Sequence, residues 1–226
     1  MRNRAGSGWT GSVHLGVGAL AYDGAVGSTG RHRHAAWQLL ALRTGTVTVT
    51  VWPSDGPPIV RDGLTAFVIP AGTEHAIGPV APDAAGFTVY LDPDAVPVTL
   101  PEEPTAAELH ALATAHDGLR PVHPYVRSAL DAVARRRSEA LSLTEVAAEI
   151  GVSPSHLSRL WRRDLGLAFP AWVRWSRLRD MADRVQGGAS ITDAAHAAGF
   201  ADGAHASRVC REMFGLSPQQ LLAALG

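Results

Sequence analysis

Four side chains in the first third of the chain are of types that hold a metal ion or a polar small molecule. His32, His34 and Gln38 lie in "HRHAAWQ", and His75 ends "PAGTEH". Three imidazoles converging from adjacent strands suit Zn, Fe, Ni or Cu. The same residues also suit a polar pocket or a hydrogen-bonded lining, the commoner outcome for such a set, and both readings stand at this point. A second set lies in the last third, where Ser158, Arg159, Arg162, Gly166 and Leu167 recur as Ser207, Arg208, Arg211, Gly215 and Leu216. An arginine fork can bond guanine O6 and N7 together, and an arginine one turn further along a helix suits phosphate oxygens. Neither set is accompanied by a second acid–base pair or a nucleophile constellation.

The elements that must position these residues differ between the two ends. From about residue 13 to 92 the chain reads as β-structure. "TVTVTVW" (46–52) alternates at a period of two, and "AWQLLALR" (36–43), "LTAFVI" (64–69) and "GFTVYLD" (86–92) are short runs bounded by Gly, Pro and Asp. Short strands separated by turn signals suggest a small barrel or jelly roll. Residues 93–104 carry four prolines and mark a boundary. Helical spacing follows at 105–116 and 126–137, and from 142 onward the caps are legible. Ser142 with Glu145 and Ser190 with Asp193 fit capping patterns, while Ser153-Pro154 and Ser217-Pro218 place an N-cap before a proline at the first helical position.

Two helical hairpins result. Leu143 to Gly151 forms a short helix, and a second helix runs from Pro154 to about Asp164. Ala147 sits at the close approach, with Val146, Ile150, Val152, Leu157 and Leu160 as the shared apolar face. The second copy starts at Ile191, turns at Gly199 and is capped by Asp202, with Ala195 at the close approach. This is helix-turn-helix spacing. Between the copies, Phe169, Trp172, Trp175, Leu178, Ala182 and Val185 recur at steps of three or four, a rod of about 16 residues and about 24 Å. Such a rod sets the two second helices about 34 Å apart, one duplex turn.

Charge supports this division. The net charge of −1 conceals 7 Arg against 11 acidic residues in 1–124, and 13 Arg against 10 in 125–226. The basic rear suits a polyanion. The single Cys210 excludes an internal disulfide, and no apolar run approaches the ~20 residues of a membrane span. A secretory signal is not expected, and the cytoplasm is the expected compartment.

Residues 142–222, and above all "GFADGAHASRVCREMFGLSP" (199–218), resemble the DNA-binding domain of the AraC/XylS family of bacterial transcription regulators. The resemblance implies double-stranded DNA as partner, RNA polymerase as a further partner if the protein activates, and a homodimer. The second helix of each unit would be the recognition helix. Ser155, His156, Ser158 and Arg159 would face bases in one groove, and Gly203, Ala204, Ser207 and Arg208 in the next. Arg162 and Arg211 would meet phosphates. Gly203 and Ala204 stand where larger polar residues are usual, and Ala206 and Cys210 replace bulky apolar ones. The first unit is therefore expected to carry most sequence discrimination, and the second core is expected to be underfilled. Trp161, Trp172, Trp175 and Phe214 are expected in the core, and Arg174, Arg177, Arg179 and Arg184 on a solvated face.

The histidine pattern resembles the two cupin motifs, in which three His and a Glu hold a divalent metal; Gln38 at the Glu position removes the anionic ligand. The expected fold is therefore α+β. A cupin-like sensor barrel spans 1–100, a linker with candidate dimerisation helices 101–138, and the DNA-binding domain 139–226, with units at 142–166 and 190–215. The expected function is sequence-specific transcription regulation in response to a small-molecule effector, without catalysis. No cofactor is expected, with a divalent metal at His32, His34, Gln38 and His75 as the alternative. A metal-dependent cupin enzyme with a DNA-binding tail and an effector-independent architectural protein are the rival readings.

Overall fold

Strand alternation organises the N-terminal half of the computed structural model, which describes residues 9–79, 82–114, 119–136, 141–215 and 217. The strands are β1 (Thr10–Gly16), β2 (Ala19–Ala25), β3 (Trp37–Thr44), β4 (Val47–Trp52), β5 (Ile59–Leu64), β6 (Ala66–Ile69), β7 (Glu74–Pro79) and β8 (Ala85–Leu91). Paired antiparallel throughout, they make a five-stranded sheet, β1-β2-β8-β3-β6, and a three-stranded sheet, β5-β4-β7.

The barrel expected from the sequence does not close among the described residues. β3 and β4 are joined at Gly45 yet pair in different sheets, and register shifts at Leu42/Thr44 and Val47/Val49 flank that turn. Such irregularities bend a strand and let its ends splay apart. The run at 64–69, expected as one strand, switches sheets at Thr65: β5 ends in the small sheet and β6 begins in the large one. The α+β class stands, with an open two-sheet sandwich in place of the barrel.

The large sheet is covered on both faces. Leu39, Ala41, Phe87, Val89 and Leu91 pack with Leu109 of α1 (Ala106–Thr114). Leu40, Phe67, Ile69 and Tyr90 face inward with Val47, Val49 and Ile77. Since side chains alternate along a strand, Gln38 shares the inner face with Leu40, and its backbone pairs directly with Tyr90.

The helical half comprises α2 (Pro124–Arg135), α3 (Leu143–Glu149), α4 (Pro154–Leu165), α5 (Phe169–Gln186), α6 (Ile191–Ala197) and α7 (Gly203–Phe214). The capping box of α3 is complete, Ser153 and Ser190 accept from His156 N and Asp193 N, and Asp202 accepts from His205 N. Gly166 and Gly215, the repeated glycines, end α4 and α7 at φ 74° and 66°. A left-handed C-cap favours glycine, which explains the repeat at these positions. Leu216, Pro218 and the helical expectations at 115–116 and 137 lie outside the described residues.

Helix α2 differs from expectation. Its apolar face, expected to seek a second copy, buries Val126, Ala129, Leu130, Ala132 and Val133 against α3 and α4. The His123 N–H donates to Asp164 Oδ2 at 2.6 Å, tying α2 to the end of α4. α5 runs 18 residues, longer than its spacing predicts, and buries Trp172 and Trp175 as expected. Ala206 and Cys210 were expected to leave the second core underfilled. Both are fully covered, in one cluster with Phe200, Met213 and Phe214.

Candidate nucleic-acid interface and buried histidine pocket

Each second helix divides into two stripes. On α4, Leu157, Leu160, Trp161 and Leu165 are buried, while Ser155, Arg159 and Arg162 are exposed, with His156 and Ser158 half-exposed. On α7, Ala206, Val209, Cys210, Met213 and Phe214 are buried, while Gly203, Ala204, Arg208 and Arg211 are exposed and Ser207 is half-exposed. Spacing of three and four residues keeps each set on one face. The side chains of Arg159, Arg162, Arg208 and Arg211 make no ion pair or hydrogen bond among the described residues, so their guanidinium groups are available to an external anion. The flanking basic residues differ: Arg163 pairs with Asp164 at 2.6 Å, and Arg174 with Glu212 at 3.3 Å. Beside α4, Tyr125 at the start of α2 sets its ring 6.1 Å from that of His156 and is 41% exposed. Sequence reasoning missed Tyr125, because only the packing of α2 brings it beside His156 on α4.

The second constellation lies inside the sandwich. Gln38 comes from β3 and His75 from β7, one from each sheet, and a backbone bridge joins His32 to His75. All four side chains are buried, none more than 4% exposed. One ring nitrogen of each of His32, His34 and His75 lies within 4.8 Å of the others. The hydrogen bonds assign the protons. Nδ1 of His32, His34 and His75 lies 2.8, 2.7 and 2.9 Å from the carbonyls of Gly30, Ala36 and Thr73. A carbonyl only accepts, so each Nδ1 carries the hydrogen and each Nε2 presents a lone pair.

Electrostatics keep the rings neutral. Burial, reinforced by the neighbouring His34, lowers His32 to about 4 and depresses His75 as well; burial likewise depresses His34. Nε2 of His34 and of His75 lie 3.0 and 3.1 Å from Gln38 Oε1, while Gln38 Nε2 has no partner among the described residues. Turning the amide would let its NH2 serve both rings, but the oxygen would then take the unpartnered place. A divalent ion resolves the conflict from the other side, by accepting imidazole lone pairs and the amide oxygen together. Histidines whose second nitrogen donates to a backbone carbonyl are oriented as metal ligands are. The residues fit a divalent transition metal bound through three nitrogens and one neutral oxygen.

Comparison with known proteins bears on the helical half and on the fold. The AraC-type family model described as "Helix-turn-helix domain" matches residues 146–224, from α3 through α7. Residues 146–224 are an AraC/XylS-type helix-turn-helix domain. A relative, the HTH-type transcriptional regulator GlxA of Rhizobium meliloti (strain 1021), is 34% identical over 100 residues, which are 44% of this chain and 31% of that protein. The match thus spans about a third of that relative's length. Among solved structures, ToxT from Vibrio cholerae strain SCE256 with an unsaturated fatty acid bound superposes with a TM-score of 0.61 at 9% identity. That superposition covers 94% of this chain and 96% of ToxT. ToxT from strain O395 gives 0.60 at 8% identity, over 96% and 95% of the two chains. These likenesses show a shared fold across both halves.

The AraC/XylS-type domain is joined to the sheets by its central rod. Trp175 Nε1 donates to Asp92 Oδ1 at 2.7 Å, and Arg179 donates to Asp92 Oδ2. Arg179 also reaches the carbonyls of Gly16 at 2.6 Å and Ala19 at 3.3 Å, and Gln186 that of Val13 at 2.7 Å. Arg179 is therefore no solvated residue, contrary to expectation: a buried carboxylate from the other half of the chain claims it. Arg184 pairs with Asp180 and Arg174 with Glu212, closer to the expected surface roles. Among the described residues no helix is long and apolar enough to cross a membrane.

Proposed function

We infer that the chain is a sequence-specific, DNA-binding transcription regulator whose N-terminal sandwich holds an effector pocket. One observation carries this reading: two reading helices of one domain, joined by one rod, present matching exposed stripes whose four arginines have no partner among the described residues. Arg159 and Arg208 suit base edges, and Arg162 and Arg211 suit phosphates. Ser155, His156 and Ser158 add hydrogen-bonding groups on α4, whereas α7 offers Gly203, Ala204 and Ser207. The first unit therefore reads most of the sequence and the second adds backbone affinity.

The effector pocket is formed by His32, His34, Gln38 and His75, which would hold a divalent metal. A bound metal supplies a fixed positive charge that pins the two sheets together. The same rings orient a polar small molecule in its absence. RNA polymerase is the further partner if the protein activates transcription. Two units in one chain reach two successive turns of a duplex without a second copy, so a homodimer is an additional assembly, not a requirement for the reading geometry.

The test is a titration of the protein and of Arg159→Ala and Arg162→Ala with a duplex enriched from a random-sequence pool and with its scrambled form, at about 150 mM salt. The reading expects selective binding, by about 10³-fold or more. Arg159→Ala should lose ~1–3 kcal/mol on the selected duplex alone. Arg162→Ala should weaken both duplexes equally and lower the salt slope by about 1. Equal affinity for both duplexes, unchanged in either variant, would leave the architectural reading in place.

A further inference from the structure

The first helical unit is flanked by an aromatic side chain that neither of its own helices supplies. Aligning the repeated Ser-Arg pairs sets His156 of α4 against His205 of α7, and one aromatic ring meets each imidazole edge-on. For His205 that ring is Phe200, 5.4 Å away, buried, and part of the same hairpin. For His156 it is Tyr125 of α2, 6.1 Å away and exposed. The Tyr125 hydroxyl has no hydrogen-bond partner among the described residues.

Packing fixes where Tyr125 stands. Pro124 opens α2, and the His123 side chain accepts from the Tyr125 N–H. The His123 N–H in turn reaches Asp164 Oδ2. His156, Leu160 and Asp164 recur at steps of four, so one side of α4 lies along α2. Val126, Ala129 and Leu130 anchor the same turns of α2 in the core. A tyrosine then has only two torsions left to order when a partner arrives.

We propose that the Tyr125 hydroxyl donates a hydrogen bond to a DNA backbone phosphate at the rim of the groove that α4 enters. This rests on reading α4 as a DNA-binding helix, and adds to it a contact from outside both hairpins. Size selects phosphate over base. A helix with its side chains is about 10–12 Å across, and the major groove is about 12 Å wide. α4 therefore fills the groove, and a group beside its flank on another helix meets the phosphates of the groove wall. Tyrosine is among the side chains that bond phosphate oxygens, and such bonds set register without reading sequence. Phe200 carries no polar side-chain atom, so the second unit gains no such contact from the matching position.

The experiment uses the full chain with Tyr125→Phe, Tyr125→Ala, Arg159→Ala and Arg162→Ala, on the selected duplex and its scrambled form. Tyr125→Phe should weaken both duplexes by the same factor, about three- to tenfold. Its salt slope should match that of the unaltered chain, because a neutral hydroxyl displaces no counterion, whereas Arg162→Ala lowers the slope by about 1. Its urea midpoint should also be unchanged. Replacing backbone phosphates singly by methylphosphonate then locates the contact. At one position the unaltered chain should lose at least about threefold more affinity than Tyr125→Phe does. Unchanged affinity in Tyr125→Phe with a loss in Tyr125→Ala would overturn the proposal in favour of a ring that only positions His156. A loss confined to the selected duplex would overturn it in favour of base readout. Absence of DNA binding by the unaltered chain, or binding that none of the four variants alters, would overturn the reading of α4 and this proposal with it.

Discussion

Replacing Asp92 with asparagine tests whether a buried charge pair holds the DNA-binding domain against the sheets. Asp92 is 8% exposed and accepts from both Trp175 Nε1 and Arg179. Asparagine offers a single oxygen to those donors and turns its NH2 toward the other, so one donor is left facing a donor. Removing one member of a buried pair costs ~3–5 kcal/mol. Arg179 keeps its bonds to Gly16 and Ala19, and its side chain is 18% exposed, which discounts the loss to ~2–3 kcal/mol. At ~2–4 °C per kcal/mol for a chain of this size, Tm should fall by ~5–10 °C. Urea unfolding, followed by tryptophan fluorescence and far-ultraviolet circular dichroism, gives the loss directly. Asp92→Asn and Arg179→Met should combine with a coupling energy of ~1–3 kcal/mol, the double variant being more stable than additivity requires. A loss below ~0.5 kcal/mol, or two effects that simply add, would refute the clamp.

Two further predictions concern the ends of α4 and α7 and the core beneath α7. Gly166→Ala and Gly215→Ala both place a side chain at positive φ, but a Cβ at Gly166 meets nothing within 4 Å, whereas at Gly215 it meets Gly30 backbone. Chemical denaturation should show ~1 kcal/mol lost at Gly166 and at least ~1 kcal/mol more at Gly215. Cys210 is buried, and burial pushes its thiol up to about 12. Iodoacetamide at pH 8 should label the native thiol far more slowly than the unfolded one. The unfolded thiol ionises near ~8.5 while the folded one stays protonated, so its contribution to stability is complete below pH ~8.5 and falls as pH rises toward 12. By pH 10 the wild-type chain should lose ~1–2 kcal/mol more than Cys210→Ala loses over the same range, measured by paired urea titrations.

The features written in the sequence are those whose physical cause is local. Ser142 and Glu145 cap α3 three residues apart, Gly166 and Gly215 must be glycine because a helix ends there in the left-handed region, and the buried and exposed stripes of α4 and α7 repeat at the helical period. Each signal is complete within one turn of chain, so the two units and their exposed arginines were legible before any tertiary contact was known. The histidine pattern was legible as chemistry, since residue types survive without geometry.

The arrangement of the sheets was not. β3, apolar on both faces, and β4, which alternates, both read simply as strands, and the register shifts on either side of Gly45 accompany their parting into different sheets. Arg179 reads as one more solvated arginine because its partner, Asp92, lies 87 residues away. The docking of Gly215 on Gly30 and the edge-on contacts of Tyr90 with His34 and Phe214 likewise join distant segments. Such contacts have no period and no spacing to betray them, because burial in three dimensions, and not neighbouring chain, selects the partner. The sequence by itself determined the two helical hairpins and the histidine pattern; only the tertiary structure decided that the loop around Gly30 lies against the end of α7.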